Sequence, residues 1–111
     1  MVRRAAVVQY VTTRQSARRN RELIEDVLAE LAARDPGGMQ YQVLMLDDGV
    51  GFMHIVAFDG NADPFADCDA YREFHRELAQ RLATKPVVTR AALIGSYHGG
   101  RTMSFDRWGP Q

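Results

Sequence analysis

The chain has 111 residues, and its 14 lysines and arginines balance 14 aspartates and glutamates. A zero net charge gives no field that would attract nucleic acid or an anionic membrane. The single cysteine, Cys68, excludes an internal disulfide and a cysteine-based zinc site, and no apolar stretch reaches the roughly 18 residues that a membrane-spanning helix needs. These properties predict one soluble, cytoplasmic domain without a membrane segment.

The first half of the chain predicts a strand, a helix and a β-hairpin. Residues 4–13 are rich in Val, Tyr and Thr, which favours a strand. Ser16 is a candidate N-cap for the helix that follows, and the sequence DPGG at 35–38 ends this helix because proline and glycine do not continue it. Residues 39–58 contain two apolar runs around a short turn and form the hairpin. The helical stripe comprises Asn20, Leu23, Ile24, Val27, Leu28 and Leu31.

The second half predicts one more helix and one more strand. Residues 59–64 have turn composition, and Asp67 or Asp69 is expected to cap the next helix. A last strand is predicted over 87–98, and residues 99–111 form a tail with no helical or strand period. The inward side of the second helix is expected to carry Tyr71, Phe74, His75, Leu78 and Leu82.

The order of the elements is β-α-β-β-α-β, which is the order of a ferredoxin-like α+β domain. Because each β-α-β crossover is right-handed, both helices are expected on one face of a four-stranded antiparallel sheet. We therefore predict such a domain over residues 1–98, followed by the C-terminal tail. The second face of the sheet is left open.

The hairpin is apolar on both faces, so each face is expected to pack against another element or another chain that shields it from water. With the turn at Asp48 and Gly49, residues 45 and 52 pair, as do 43 and 54, and residues that pair share a face. A large exposed apolar patch usually marks an interface, and a second copy of the same sheet would cover it in a homodimer. We expect the helices to cover Leu44, Leu46, Met53, Ile55 and Ala57. The open face, and thus the dimer interface, is expected to consist of Tyr41, Val43, Met45, Phe52, His54 and Val56.

The second strand of the hairpin lies where RNA-recognition domains carry the pattern K/R-G-F/Y-G/A-F-V-x-F/Y. Some positions match, but an aspartate stands at the basic position, and Val50 and Ile55 replace two aromatic residues. The missing rings are those that would stack on bases. Together with the zero net charge, this disfavours binding to nucleic acid.

The chain contains, in this order, the segments VVQY, ARRNRELIEDVLAELAARDPGG, LDDGVGFMHIVAF, YREFHRELAQRL and VVTRAALIGSYH. Together they resemble the dimeric α/β-barrel superfamily, and most of all its small antibiotic-biosynthesis-monooxygenase-like members. The resemblance spans residues 4–98 and rests on the order of the elements and the pattern of the hairpin. It implies a homodimer in which two sheets form a barrel, with a ligand cleft in each chain between the sheet and the helices.

The resemblance implies two classes of function, and the residues leave both open. One is a cofactor-independent monooxygenase that acts on a small aromatic or polyketide-like ligand, or an isomerase or cyclase for such a ligand. The other is a non-catalytic, ligand-binding or stress-associated barrel protein. In the enzyme, the protein would supply a dry cleft and a proton acceptor, while the substrate itself activates oxygen.

His75 is the candidate catalytic residue, because it lies at the edge of the apolar side of the second helix and imidazole titrates near neutral pH. In haem-degrading members of the superfamily, a histidine of this helix binds iron beside an asparagine of the first strand and a tryptophan of the third. This chain has neither, since its one tryptophan, Trp108, lies in the tail. We therefore expect no haem, no other cofactor and no metal site. The candidate residues of the ligand cleft are Tyr10, Asn20, Gln42, Tyr71 and Phe74.

Overall fold

A computed structural model describes residues 3–60 and 63–99 of the chain. Residues 1–2, 61–62 and 100–111 lie outside the described residues, and Trp108 is among them. No helix of the described ranges combines the length and the apolar character needed to cross a membrane. The elements are β1 (Arg3–Val11), α1 (Ala17–Arg34), β2 (Met39–Met45), β3 (Gly51–Phe58), α2 (Asp69–Arg76), α3 (Leu78–Arg81) and β4 (Val87–Leu93).

The four strands form one antiparallel sheet in the order β2-β3-β1-β4. This is the ferredoxin-like arrangement, so the predicted fold is confirmed. The register of the hairpin is also the predicted one, with Met45 opposite Phe52 and Val43 opposite His54. Asp48 stabilises the turn, because its Oδ1 accepts hydrogen bonds from the backbone N–H groups that follow it. The register then fixes which side chains share a face of the sheet.

The helix α1 begins after Ser16 as predicted, but neither of the two longer helices has the predicted side-chain cap. Ser16 lies in a single 3-10 turn before α1 and makes no side-chain cap. The residue before α2 is Cys68, and no side chain of its own segment caps this helix. Instead, Glu30 of α1 accepts hydrogen bonds from the backbone N–H groups of Asp69 and Ala70 at 3.1 and 2.8 Å. A carboxylate satisfies the free N–H groups of a helix start, so α1 fixes where α2 begins.

The second predicted helix is broken into two. The break is at Glu77, which adopts φ −127° and ψ 28°, and α3 adds one short turn that ends at Arg81. The chain then docks on the end of β1. Thr13 N–H donates to the carbonyl oxygen of Arg81 at 2.9 Å, and Ala83 N–H donates to that of Val11 at 2.7 Å. These bonds hold Arg81 in the interior, where its side chain is buried.

The last strand is shorter than predicted. β4 ends at Leu93, which pairs with Arg3. Residues 94–99 follow as exposed, irregular chain.

The two faces of the hairpin are the reverse of the sequence expectation. Phe52 is 1% exposed and packs in the core with Leu23, Ile24 and Val27 of α1. Residues two apart on a strand share a face, so the whole set expected at the dimer interface lies on the helix-covered face. That assignment was wrong for Tyr41, Val43, Met45, Phe52, His54 and Val56.

The physical reason is the size of the side chains. Helices packed on a sheet need wide apolar surfaces, and aromatic rings bury the most area. The helix-covered face carries these rings, whereas the opposite face carries shorter aliphatic chains. A glutamate at Val43 or Phe52 would therefore disturb the core of one chain and would not report on a dimer. The opposite face of the hairpin carries Leu44, Met53, Ile55 and Ala57.

Candidate functional site

A cavity of about 300 Å³ lies between the helix-covered face of the sheet and α2. A volume of this order suits a small organic ligand, and a mostly apolar lining with a few polar groups is typical of ligand sites. The polar rings at this cavity are Tyr10, Tyr41, His54, Tyr71 and His75. The apolar lining comprises Val8, Val56, Phe65, Phe74, Leu78, Pro86 and Val88.

Aromatic rings form the wall of the cavity. Phe65, in the loop before α2, stacks on Tyr71 with ring centroids 4.0 Å apart and planes 8° apart. The same ring meets Tyr41 edge-on at 5.1 Å. Phe74 is buried one turn further along α2, with its ring centroid 5.5 Å from that of His54. Aromatic pairs in these geometries stabilise one another, so the wall offers flat surfaces to a planar ligand.

His54 lies at the floor of the cavity, and both of its ring nitrogens are hydrogen-bonded. Nε2 lies 2.7 Å from Tyr10 Oη, and Nδ1 lies 2.7 Å from Tyr41 Oη. The sheet order explains this arrangement, since β3 lies between the strands that carry the two tyrosines. His54 is 7% exposed, and the two bonds satisfy a polar ring that would be costly to bury unpaired.

Two further residues extend this network behind Tyr10. Asn20 Nδ2 donates to Tyr10 Oη at 2.9 Å, and Arg81 Nε donates to Asn20 Oδ1 at 2.9 Å. Arg81 Nη2 donates to the carbonyl oxygen of Phe74 at 2.7 Å, and the guanidinium lies 5.0 Å from the centroid of that ring. Asn20 and Arg81 are both buried. We call this continuous chain of hydrogen bonds the relay; its members are Arg81, Asn20, Tyr10, His54 and Tyr41.

Burial keeps the rings of the relay uncharged near neutral pH. Burial, and to a lesser extent the charge of His75, lowers the pKa of His54 from 6.5 to about 4. Burial raises the pKa of Tyr10 to about 12, although the hydrogen bond from Asn20 opposes this change. The pKa of Tyr41 is also raised by burial. Removal from water disfavours the charged form of each ring, so these groups act as neutral donors and acceptors.

His75 lies at the rim of the cavity, on the exposed side of α2. Its ring centroid is 4.6 Å from that of Tyr71 and 5.2 Å from that of Phe74. Partial burial, followed by the charge of Arg81, lowers the pKa of His75. The neutral imidazole therefore prevails at neutral pH, where it can accept a proton and pass it to water.

The cavity is poorly equipped to hold a metal. In the part of the chain that the structure describes, no group of three His, Cys, Asp or Glu side chains lies close enough to share an ion. Both nitrogens of His54 are engaged by tyrosines. His75 is the remaining imidazole of the lining, whereas a catalytic zinc site takes about three protein ligands.

The structure brings together four of the five residues predicted for the ligand cleft. Tyr10, Tyr71 and Phe74 line the cavity, and Asn20 lies directly behind Tyr10. Gln42 pairs with a residue of the opposite face and is exposed there. Its assignment to the cleft was wrong. Neighbouring positions on a strand point to opposite faces, so the reversed assignment of the hairpin faces also placed Gln42 on the wrong side of the sheet.

Tyr41, His54 and Arg81 also belong to this site, although they were not predicted there. The first two were assigned to the dimer interface together with their whole face of the hairpin. The sequence did contain an indication of the correct face, because the aromatic side chains of the hairpin lie on that face and helices commonly pack on aromatic rings. Arg81 gave no signal, because its inward position depends on the helix break at Glu77.

No model of a protein family and no curated protein matches the chain. Solved structures do match it. A protein of unknown function from Nitrosomonas europaea is 15% identical, with a TM-score of 0.69 over 91% of this chain and 98% of its own. A candidate antibiotic biosynthesis monooxygenase from the same organism is 17% identical, with a TM-score of 0.68 over 83% and 90%.

A third match is a monooxygenase of Streptomyces coelicolor in complex with the ligand nanaomycin D. It is 15% identical, with a TM-score of 0.59 over 89% of this chain and 94% of its own. Identities this low show the fold alone. The chain has the fold of the antibiotic-biosynthesis-monooxygenase-like proteins that its sequence resembles.

Proposed function

We propose that the protein is a cofactor-independent monooxygenase that acts on a small aromatic or polyketide-like ligand in the cavity between the sheet and α2. The observation that carries the proposal is the cavity itself, which has about 300 Å³, ring walls, and polar groups confined to its floor and rim. The fold shared with a monooxygenase that binds nanaomycin D supports it. Because a fold does not specify an activity, the chemistry must come from the residues of the cavity.

The reaction class is the oxygenation of an electron-rich ring by O₂. A phenol that loses its proton becomes a phenolate, and the phenolate can transfer electrons to O₂. One oxygen atom then binds a ring carbon and becomes a carbonyl oxygen. The O–O bond breaks, and the second oxygen leaves as water with two protons taken up from solvent, which balance the protons that the phenol O–H and the ring C–H release. The ring is oxidised by two electron pairs, and O₂ is fully reduced.

The protein contributes a proton acceptor and a dry, shaped site. His75 at the rim is neutral at neutral pH, and it can take the phenol proton and release it to solvent. The stacked rings of Phe65 and Tyr71 hold a flat ligand against the floor. The apolar lining excludes water, which strengthens the polar interactions at the floor.

Oxygen uptake with anthrone tests the proposal, because the enol form of anthrone is a phenol. The wild-type protein, treated with EDTA, should consume one O₂ for each anthrone oxidised to anthraquinone. His75→Gln should slow the reaction at least about tenfold, since general-base catalysis contributes about 10²–10⁴. His98→Gln alters an exposed histidine outside the cavity and is the matched control. Uptake no faster than the uncatalysed rate would refute the proposal, as would equal losses in both variants.

We also propose that the protein is a homodimer that buries the open face of the sheet. Leu44 and Val87 on this face are 50% and 63% exposed. An apolar surface of this kind usually marks an interface, and an isologous contact covers the same surface on both copies. The other apolar members of the face are Ala5, Val7, Val11, Met53, Ile55, Ala57, Ala91 and Leu93.

Sedimentation at micromolar concentration tests the dimer. The wild-type protein should sediment at twice the 12.5 kDa of one chain. Ile55→Glu should give monomers, because each copy would bury an unpaired charge. Ala29→Glu introduces the same charge on the exposed side of α1 and should leave the dimer intact. A wild-type species of 12.5 kDa would contradict this assembly.

A second candidate function is that of a non-catalytic binding protein. The observation that favours it is the neutral floor of the cavity, since Tyr10 and His54 are both held uncharged by burial. Such a floor can bind a ligand but supplies no charged base near neutral pH. A binding protein would take up anthrone without consuming oxygen, so the same experiment separates the two candidates.

A further inference from the structure

The relay ends in a residue that can only donate hydrogen bonds. The guanidinium of Arg81 has no acceptor atom, so its Nε must donate to Asn20 Oδ1, 2.9 Å away. This fixes which end of the Asn20 amide carries oxygen, because amide orientation is set by the hydrogen-bond network. Asn20 Nδ2 therefore donates to Tyr10 Oη at 2.9 Å.

The orientation of the Asn20 amide determines which atoms donate in the next hydrogen bonds of the relay, from Tyr10 to His54 and from His54 to Tyr41. In the described part of the chain, Tyr10 Oη has two hydrogen-bond partners, Asn20 and His54. Since it accepts from Asn20, its own proton goes to His54 Nε2 at 2.7 Å. A neutral imidazole has one N–H. That proton therefore lies on Nδ1, which donates to Tyr41 Oη at 2.7 Å.

We propose that Arg81 sets the direction of the relay so that Tyr41 donates its hydroxyl proton into the cavity, and that the site therefore selects a planar ligand with an acceptor oxygen, a carbonyl or a phenolate. Tyr41 lines the cavity, and its oxygen already accepts the proton of His54. Within residues 3–60 and 63–99, its hydroxyl has no other partner in the protein. The inference rests on the proposed function in one respect, which is that the ligand binds in this cavity.

The charge of Arg81 favours the same kind of ligand. Arg81 is 6% exposed, yet none of the salt bridges within the described ranges involves it. The carboxylate of Glu77 lines a surface pocket together with Arg81 and acts on it through its charge, but a buried cation with no directly paired carboxylate still favours further negative charge near it. A phenolate oxygen at Tyr41 would supply that charge at the far end of the relay. Arg81 and Asn20 thus act as positioning residues, and Tyr41 is the group that would contact the ligand.

The direction of the relay can be measured without a ligand. Side-chain ¹⁵N NMR distinguishes a protonated ring nitrogen from a bare one, and we expect the proton of His54 on Nδ1 in the wild-type protein. Asn20→Asp should reverse the relay, because an ionised carboxylate only accepts. Tyr10 would then donate to Asp and accept from His54 Nε2–H, so that Tyr41 donates to Nδ1 and no longer into the cavity.

Three matched planar probes measure the consequence for the ligand. 9-Fluorenone offers an acceptor oxygen alone, 9-fluorenol offers an O–H group, and fluorene has no oxygen. The wild-type protein should bind 9-fluorenone about tenfold more tightly than fluorene, which is the contribution of one hydrogen bond. Asn20→Asp should remove this preference and keep the binding of 9-fluorenol, whose O–H can donate to Tyr41.

If Asn20→Asp does not fold, two variants of Arg81 test the direction of the relay instead. Arg81→Lys keeps a cation that only donates, and it should retain the proton on Nδ1. Arg81→Met frees the amide of Asn20 to rotate, so both tautomers of His54 should be populated.

Three results would overturn the inference. The first is a proton on Nε2 of His54 in the wild-type protein. The second is an unchanged tautomer of His54 in a folded Asn20→Asp or Arg81→Met variant. The third is equal affinity of the wild-type protein for 9-fluorenone and fluorene. The proposed oxygenation can fail separately. A protein with the expected tautomer and probe preference that consumes no oxygen would contradict the proposed function and leave the relay standing.

Discussion

The two faces of the sheet differ in their chemistry although the same strands build them. Along β3, Phe52 and His54 point towards the helices, and Met53 and Ile55 point away. The helix-covered face combines large rings with the continuous hydrogen bonds of the relay. The open face carries mainly aliphatic side chains, and no helix of residues 3–60 and 63–99 lies over it. A strand that is apolar on both sides thus lines the cavity with one face and leaves the other for the proposed dimer contact.

Substitutions at two neighbouring residues of β3 test this difference between the faces, and they have the largest expected effect on the free energy of unfolding. Phe52→Ala should lower the free energy of unfolding by about 3–5 kcal/mol, because it leaves a hole in the core. Met53→Ala should cost less, and its cost should depend on protein concentration, because the proposed dimer would add to the stability of the folded chain. Urea unfolding at two concentrations measures both. Equal losses that do not change with concentration would remove the distinction between the faces.

The pH dependence of stability tests the buried relay. The unfolded chain protonates His54 near pH 6.5, whereas the folded chain resists protonation down to about 4. Its contribution is therefore complete above pH 6.5 and decreases as the pH falls towards 4, by roughly 3 kcal/mol in total. His54→Gln should remove most of this dependence in urea unfolding and leave the smaller contribution of His75, whose pKa is also lowered by partial burial. His98→Gln, at an exposed position, should retain it, and the same slope in both variants would contradict a buried neutral His54.

A surface ion pair provides the smallest expected effect. Arg21 Nε lies 3.2 Å from Glu25 Oε2 on the exposed side of α1. Exposed pairs of this spacing contribute little, so Arg21→Ala should change the free energy of unfolding by less than about 0.5 kcal/mol. A loss above about 1 kcal/mol in urea unfolding would show that the stability of the chain does not reside in the two faces of the sheet.

The sequence was sufficient for the fold because the relevant signals are local. The proline and glycines at 35–38 end α1, and Asp48 marks the turn that sets the hairpin register. Positions decided by distant partners were not predictable. For example, Glu30 of α1 caps α2 from another element.

The site was harder to predict because one choice governs many residues. The pairing of Val43 with His54 was correct, but pairing does not say which face the helices cover. A wrong choice of face misplaces every side chain of a strand at once. His54 was therefore predicted on the open face and Gln42 in the cleft, whereas the structure has His54 in the cavity and Gln42 on the open face. Tyr10, Tyr71 and Phe74 were found because their positions do not depend on the hairpin.

The central claim is that ligands bind at the helix-covered face and leave the open face unoccupied. Methyl NMR during titration with 9-fluorenone tests it most directly, because an aromatic ligand shifts the signals of the methyl groups that it contacts. The matched pairs are Val8 and Val7 on β1, and Val56 and Ile55 on β3, where the first of each pair lines the cavity. We expect Val8 and Val56 to shift in proportion to binding, with Val7 and Ile55 unchanged. Shifts confined to Val7 and Ile55 would contradict the account.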